Sequence, residues 1–222
     1  SVKFIAQQLT ALKADSDRPL VVSIVGVGGA GKTHFGKNLS NKLRQIGLSV
    51  TLLGTDGYLH PNSTRYVNYI EEDGNKATYP IVKGSGMYTM FELEEDIMAL
   101  KMGQRIRARA DDPHGGTFKK GEWIEPSDIV ILEGVVSTHA PQVQAHIDVT
   151  VGLHGDDKVR YDRKFRRDTK PKYLGGTRAM KPEQLEEDFV DKQFHEVHDI
   201  VNHDIQQHAD FVVNDDEAKM YV

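Results

Sequence analysis

Cysteine is absent from the 222 residues, which excludes disulfide bonds and thiolate metal sites and suits a cytoplasmic protein. No run of about 18 apolar residues occurs, so no membrane span is expected. The opening residues, Ser1-Val2-Lys3-Phe4, lack the pattern of a secretory signal. There is no internal repeat and no low-complexity segment. Neither charge sign dominates: 28 Lys and Arg stand against 33 Asp and Glu, a net charge of −5. That balance argues against a dedicated nucleic-acid partner, a local basic patch aside. His195, His198, His203 and His208 fall on or near one segment. They make no H-E-x-x-H pair, so a metal site there is not expected. With 38% hydrophobic and 27% charged residues, the composition is that of a soluble globular chain. Its length suits one α/β domain over residues 1–222, with room for a small insertion.

Against these absences stands one dense signal. Gly26-Val27-Gly28-Gly29-Ala30-Gly31-Lys32-Thr33 fits G-x-x-x-x-G-K-[ST]. The apolar run Leu20–Val25 precedes it and a helical pattern, Lys32–Ile46, comes at once after it. Glycines let the backbone turn tightly and aim N–H groups at a phosphate chain. A helix start adds unpaired N–H groups and the positive end of its dipole. Lys32 can then reach the outer phosphates, and the Thr33 hydroxyl can bind Mg²⁺. The segment Gly26, Gly28, Gly29, Ala30, Gly31, Lys32, Thr33 and His34 is therefore the expected nucleoside-triphosphate cradle.

The rest of the chain is read around it. Phe4, Ile5, Leu9 and Leu12 predict an amphipathic helix over residues 3–14. The helix after the loop should bury Phe35, Leu39, Leu43 and Ile46 and stop at Gly47. Val50–Leu53 is a second short strand. Strand, helix and strand at this spacing make a βαβ unit with parallel strands. Lys32 and Asp56 then fall on the same sheet edge, where open α/β sheets bind ligands. Asp56 could take a proton from a substrate hydroxyl, hold Mg²⁺, or only start a turn before Gly57.

Residues 63–90 carry turn signals at Asn62-Ser63 and Asp73-Gly74-Asn75 and no clear element. Leu93, Ile97 and Leu100 predict a helix over Phe91–Met102, ended by Gly103. Arg105, Arg107 and Arg109 alternate as on one basic strand face, more simply a solvated face than a site. Thr117–Ile124 suits a hairpin turning at Lys120-Gly121. Ile129–Leu132 is wholly apolar, as a central parallel strand should be. Glu133 at its end is placed to organise Mg²⁺. Asp148–Leu153 is a further buried strand. A basic stretch comes next, with Arg160, Arg163 and Arg167 on one helical face. Such arginines could clamp phosphoryl oxygens from a closing lid, or line a solvated helix. Tyr173–Arg178 suits a hinge or loop. Pro182 should open a long helix to about His208, and Phe211–Val213 a last strand.

In this order the chain resembles the phosphoribulokinase / uridine kinase family of phosphate-loop kinases, which includes bacterial-type pantothenate kinase. The resemblance rests on Gly26–Thr33, on Thr55-Asp56-Gly57-Tyr58-Leu59-His60-Pro61-Asn62, on Ser127–Gly134 and on the basic stretch around Arg163–Arg167. It spans roughly residues 18–214 and implies a three-layer α/β/α P-loop NTPase fold with a mostly parallel sheet. It also implies a basic lid over about residues 158–178 and an acceptor-side insertion over about 60–125. The implied reaction moves the ATP γ-phosphoryl group to a hydroxyl of a small metabolite, with Mg²⁺. By the same resemblance Asp56 is the catalytic base and Lys32 the phosphate ligand. Thr33, Glu133 and Asp56 attend the metal. Arg163 and Arg166 are lid arginines. Tyr58, His60, Tyr88, His114 and Arg167 face the substrate. A homodimer or homotetramer is implied as well.

The sequence departs from the family at Thr89, where Asp often follows Tyr88, and at Asp112, where Tyr is expected before His114. Both departures concern the acceptor. The Asp-Gly-Tyr-Leu-His-Pro-Asn stretch is closest to pantothenate kinase, whereas the length and lid are closer to uridine kinase, which favours a nucleoside acceptor. A GTPase would need an N-K-x-D motif, and Asn41-Lys42-Leu43-Arg44 lacks the Asp. A nucleotide-binding scaffold without transfer activity is the reading of another class.

Overall fold

Strand β1, Leu20–Gly26, is buried along its whole length, and its apolar side chains serve two cores. Val21 joins one, while Val22 and Ile24 join the other. β7, Ile129–Gly134, splits likewise: Ile129 and Ile131 face one way, Val130 and Leu132 the other. A strand covered on both faces has no polar side to alternate with, hence its continuous apolar run. This is a computed structural model, and it describes residues 2–61, 66–70, 76–80, 84–109, 118–135, 140–170, 181–187 and 198–214.

The main sheet has five strands in the order β2-β7-β1-β8-β9, all parallel. Its other members are β2 (Val50–Gly54), β8 (Val149–His154) and β9 (Phe211–Asn214). β1 and β2 are parallel as the βαβ spacing requires, but β7 lies between them. One layer of helices holds α1 (Val2–Ala14), α2 (Lys32–Gln45) and α7 (His198–His208), supplying Ile5, Leu9, Leu39, Leu43, Val201 and Ile205 to its core. The opposite layer holds α3 (Met90–Lys101) and α4 (Pro141–Gln144), with Leu93, Ile97, Leu100 and Val143. Two helical layers over one parallel sheet make the α/β/α arrangement.

Several details differ from the sequence patterns. Phe4, Leu12 and Ile46 are exposed, Ile46 lying just past the end of α2 as its C-cap residue. Phe4 instead meets Phe211 edge-on at 6.0 Å. The arginine alternation is only two residues of strand, β5, Ile106–Arg107. Its antiparallel partner is β6, Trp123–Ile124. The turn at Lys120-Gly121 exists, with Gly121 at φ 80°, but β6 pairs with β5, because Ile106 and Ile124 bury together. Outside, Arg105 and Arg107 each stack 4.1 Å from the Trp123 ring. An unanticipated hairpin joins β3 (Tyr66–Ile70) to β4 (Lys76–Pro80). The helix expected from Pro182 to His208 is described at its ends, as α6 (Pro182–Glu187) and α7. Its middle, with His195, and the segment Tyr173–Arg178 lie outside the described residues. Among the described residues no helix is long and apolar enough to cross a membrane.

Candidate active site

All five parallel strands run the same way, so β1, β2, β7 and β8 deliver the segments after them to one edge. After β1 comes the loop. Gly26 is the last residue of β1 and Gly31 caps α2. Gly29 and Gly31 hold φ of 84° and 86°, a region that strains any residue with a side chain. Gly29 also lacks room: a Cβ there would come 2.8 Å from the Arg160 carbonyl oxygen. Ala30 is buried and donates its N–H to the Val27 carbonyl at 3.1 Å. His34 is exposed on the first turn of α2, its Nε2 3.0 Å from Asn38 Nδ2.

Lys32 Nζ folds back over the loop and donates to the Val27 carbonyl at 3.2 Å. Burial pushes this ammonium below its usual range; the charges of Glu133 and Asp56 pull it up, and Arg167 and Arg160 push it down. One lysine thus stands in the field of two acids and two arginines drawn from three other parts of the chain. Thr33 Oγ1 donates to Glu133 Oε1 at 3.0 Å. Glu133, 9% exposed, is the next-to-last residue of β7 and lies beside Gly54, the last residue of β2. A side chain at Gly134 would collide with Thr55 Oγ1. That close approach explains why glycine comes after Glu133.

Asp56 lies half-buried in a 3₁₀ turn, Thr55–Tyr58, that continues β2. Tyr58 is 3% exposed and its hydroxyl donates to Asp96 Oδ2 at 2.8 Å, so it faces α3. His60 and Tyr88 are neighbours through their backbones. His60 N–H donates to the Met87 carbonyl at 2.9 Å, and Leu59 and Tyr88 form an antiparallel bridge. His114 lies outside the described residues.

The basic stretch forms α5, Asp157–Asp168, capped by Asp156, which accepts from the N–H groups of Lys158 and Val159. Arg160 is wholly buried and donates from Nε to the Gly28 carbonyl at 3.2 Å. Its Nη1 pairs with Asp157 at 2.5 Å. Arg163 Nη1 reaches the Gly29 carbonyl at 3.5 Å. Arg167 forks onto buried Asp168 at 2.7 and 3.0 Å. Arg166 is exposed, because its step along the helix turns it off the face shared by Arg160, Arg163 and Arg167. Arg160 was legible as part of that face but not as the residue that holds the loop. Arg109 was legible only as one of three alternating arginines and Asp96 not at all, since what joins them is tertiary.

A parallel sheet whose central strand runs through a glycine-rich loop into a helix defines the phosphate-loop class of nucleotide-binding α/β proteins. The Phosphoribulokinase / Uridine kinase family profile matches residues 21–203, and the chain belongs to that family. It is a small-molecule kinase. The chain is 27% identical over 157 residues to uridine kinase from Leuconostoc citreum, covering 68% of this chain and 69% of the relative. It is 29% identical over 156 residues to uridine kinase from Listeria monocytogenes serotype 4a, covering 69% of each. Its fold is similar to that of D-glycerate 3-kinase from Cryptococcus neoformans, with TM-score 0.64, 16% identity and coverage of 97% and 96%. A possible uridine kinase from Bacillus stearothermophilus is similar at TM-score 0.57, 17% identity and coverage of 95% and 96%.

Proposed function

We propose that the chain transfers the γ-phosphoryl group of ATP to a hydroxyl of a nucleoside, with Mg²⁺. The carrying observation is that Lys32 folds over the glycine-rich loop while Thr33, beside it, meets Glu133 from the end of another strand. Thr33 and Glu133 present a hydroxyl and a carboxylate oxygen 3.0 Å apart, hard donors of the kind Mg²⁺ takes. The residues therefore fit the metal, which when bound supplies neutralisation of charge on the β- and γ-phosphoryl oxygens. Asp56 accepts the proton of the acceptor hydroxyl as its oxygen forms the new bond to phosphorus and the bond to ADP breaks. Lys32 holds the phosphate chain. Arg163 and Arg167 offset the spreading negative charge. The lid, about residues 158–178, and the acceptor-side segment, about 60–125, belong to one domain in this reading. A cytoplasmic setting and a homodimer or homotetramer complete it.

The nucleoside acceptor is supported by the uridine kinases among the relatives. A second reading, a pantothenate, sugar, glycerate or ribulose-phosphate acceptor, is favoured by the Asp56–Asn62 stretch, which is similar to pantothenate kinase, while Thr89 and Asp112 depart from the family pattern. The test is ATP turnover with uridine, cytidine, pantothenate, ribulose 5-phosphate, glycerate and simple sugars. A nucleoside should raise ADP release well above background; if no compound does, the non-transferring scaffold replaces the kinase reading. With the accepted compound, Asp56→Asn should lower kcat by about 10²–10⁴ while ATP affinity holds. Near-normal turnover in that variant removes Asp56 from the base role.

A further inference from the structure

On the far side of the Asp56 turn lies a polar cluster that the reaction scheme does not use, buried at Tyr58 and Asp96 and reaching the surface through Arg109, Glu92 and Glu95. Asp96, 6% exposed on α3, accepts from Tyr58 Oη at 2.8 Å. It also accepts a two-pronged grip from Arg109, Nε to Oδ2 at 2.8 Å and Nη2 to Oδ1 at 2.9 Å. Arg109 Nη1 lies 3.3 Å from Glu92 Oε1, and Nη2 is 4.0 Å from Glu95 Oε2. One guanidinium thus answers three carboxylates. Replacing such a group with packed apolar side chains often leaves stability unchanged or improves it, so burial alone does not call for it. What a forked ion pair does supply is a single geometry.

The position of the cluster tells what that geometry holds. Tyr58 shares its 3₁₀ turn with Asp56. Its carbonyl accepts from the Thr89 N–H at 2.7 Å and from Thr89 Oγ1 at 3.1 Å, next to Tyr88. Arg109 directly precedes the segment that carries His114. We infer that Asp96 and Arg109 are positioning residues, which set the Asp56 turn against Tyr88 and Thr89 and so fix the distance between base and acceptor. The inference rests on the kinase reading for its functional half, while its structural half stands alone.

The experiment has two arms, on Tyr58→Phe, Asp96→Asn and Arg109→Lys. In the first, amide hydrogen exchange is followed at His60 and Thr89, with Phe35 in α2 as the internal reference. Exchange at His60 and Thr89 should speed at least about tenfold while Phe35 holds. Unchanged exchange at both amides overturns the inference. In the second arm kcat, acceptor KM and nucleotide Kd are measured with the compound found by the substrate panel. A misplacement of about 1 Å costs near 10²-fold in rate, so kcat should fall about ten- to hundredfold with nucleotide Kd within twofold. Arg109→Lys keeps the charge but loses the fork, and it covers the case in which Asp96→Asn does not fold. Full kcat in Arg109→Lys overturns the inference, as does a loss that falls equally on nucleotide Kd. If the unsubstituted protein phosphorylates nothing in the panel, the kinase reading fails, and the exchange arm still decides whether the cluster holds the turn.

Discussion

The residue with the least freedom at this sheet edge is Gly134. It has no side chain and touches no ligand in the reaction scheme, yet a methyl group there would displace Thr55, and with it Asp56. The collision is with a side chain that branches at its β-carbon and is itself fully buried, so it has nowhere to swing. Gly134→Ala should therefore cost about 1–3 kcal/mol of stability, the usual effect of overpacking. It should also lower kcat further than that loss of folded protein explains. Urea unfolding followed beside kcat separates the two effects. A variant with normal rate and normal unfolding would show that the Thr55 turn can relax.

At the scale of elements, what matters is how strand ends are tied. At the end of the sheet away from the loop, Asp128 accepts from Ser49 N–H at 2.8 Å and Ser49 Oγ at 2.6 Å, pinning the entry to β7 beside that of β2. Those donors, the hydroxyl first, hold the Asp128 carboxyl below its usual range. A carboxyl depressed in the folded state adds stability at pH values above its unfolded value, about 3.9. That contribution is lost as pH falls through the folded value. Stability from denaturant unfolding should thus decline on acidification below about pH 4. In Asp128→Ala the decline over that window should be shallower and start from a lower plateau. At the loop end, α5 is tied by Arg160, whose long side chain is buried against the Gly28 carbonyl and Asp157. Arg160→Met should weaken nucleotide binding by loosening the loop, an effect read by calorimetric titration with ADP. Exposed Arg166 should tolerate the same change with little effect on that titration.

For the whole molecule, a nucleotide that binds only the folded chain must stabilise it. At a hundredfold excess over Kd the gain is about 2.7 kcal/mol, visible as a rise in Tm with MgADP and absent in Lys32→Ala. The order of strands was not legible at this scale. Sequence neighbours β1 and β2 suggest adjacency, but β7 separates them, because its two apolar faces need cover from both helical layers. The β3–β4 hairpin was missed for a different reason: its strands are short and lack an alternating apolar pattern. The phosphate loop, the apolar strands before Gly26 and Glu133, and the arginine face of α5 were legible, since each depends on spacing within one element. A local pattern of glycines, one strand and one helix start determines by itself that this chain can cradle a phosphate chain, because backbone geometry there depends on near neighbours alone. Only the tertiary structure decided that Tyr58 turns inward to Asp96, that Arg160 rather than Arg166 meets the loop, and that Arg109 answers three carboxylates. Those pairings join residues far apart in the chain, and no periodicity records which of many polar side chains will be buried together.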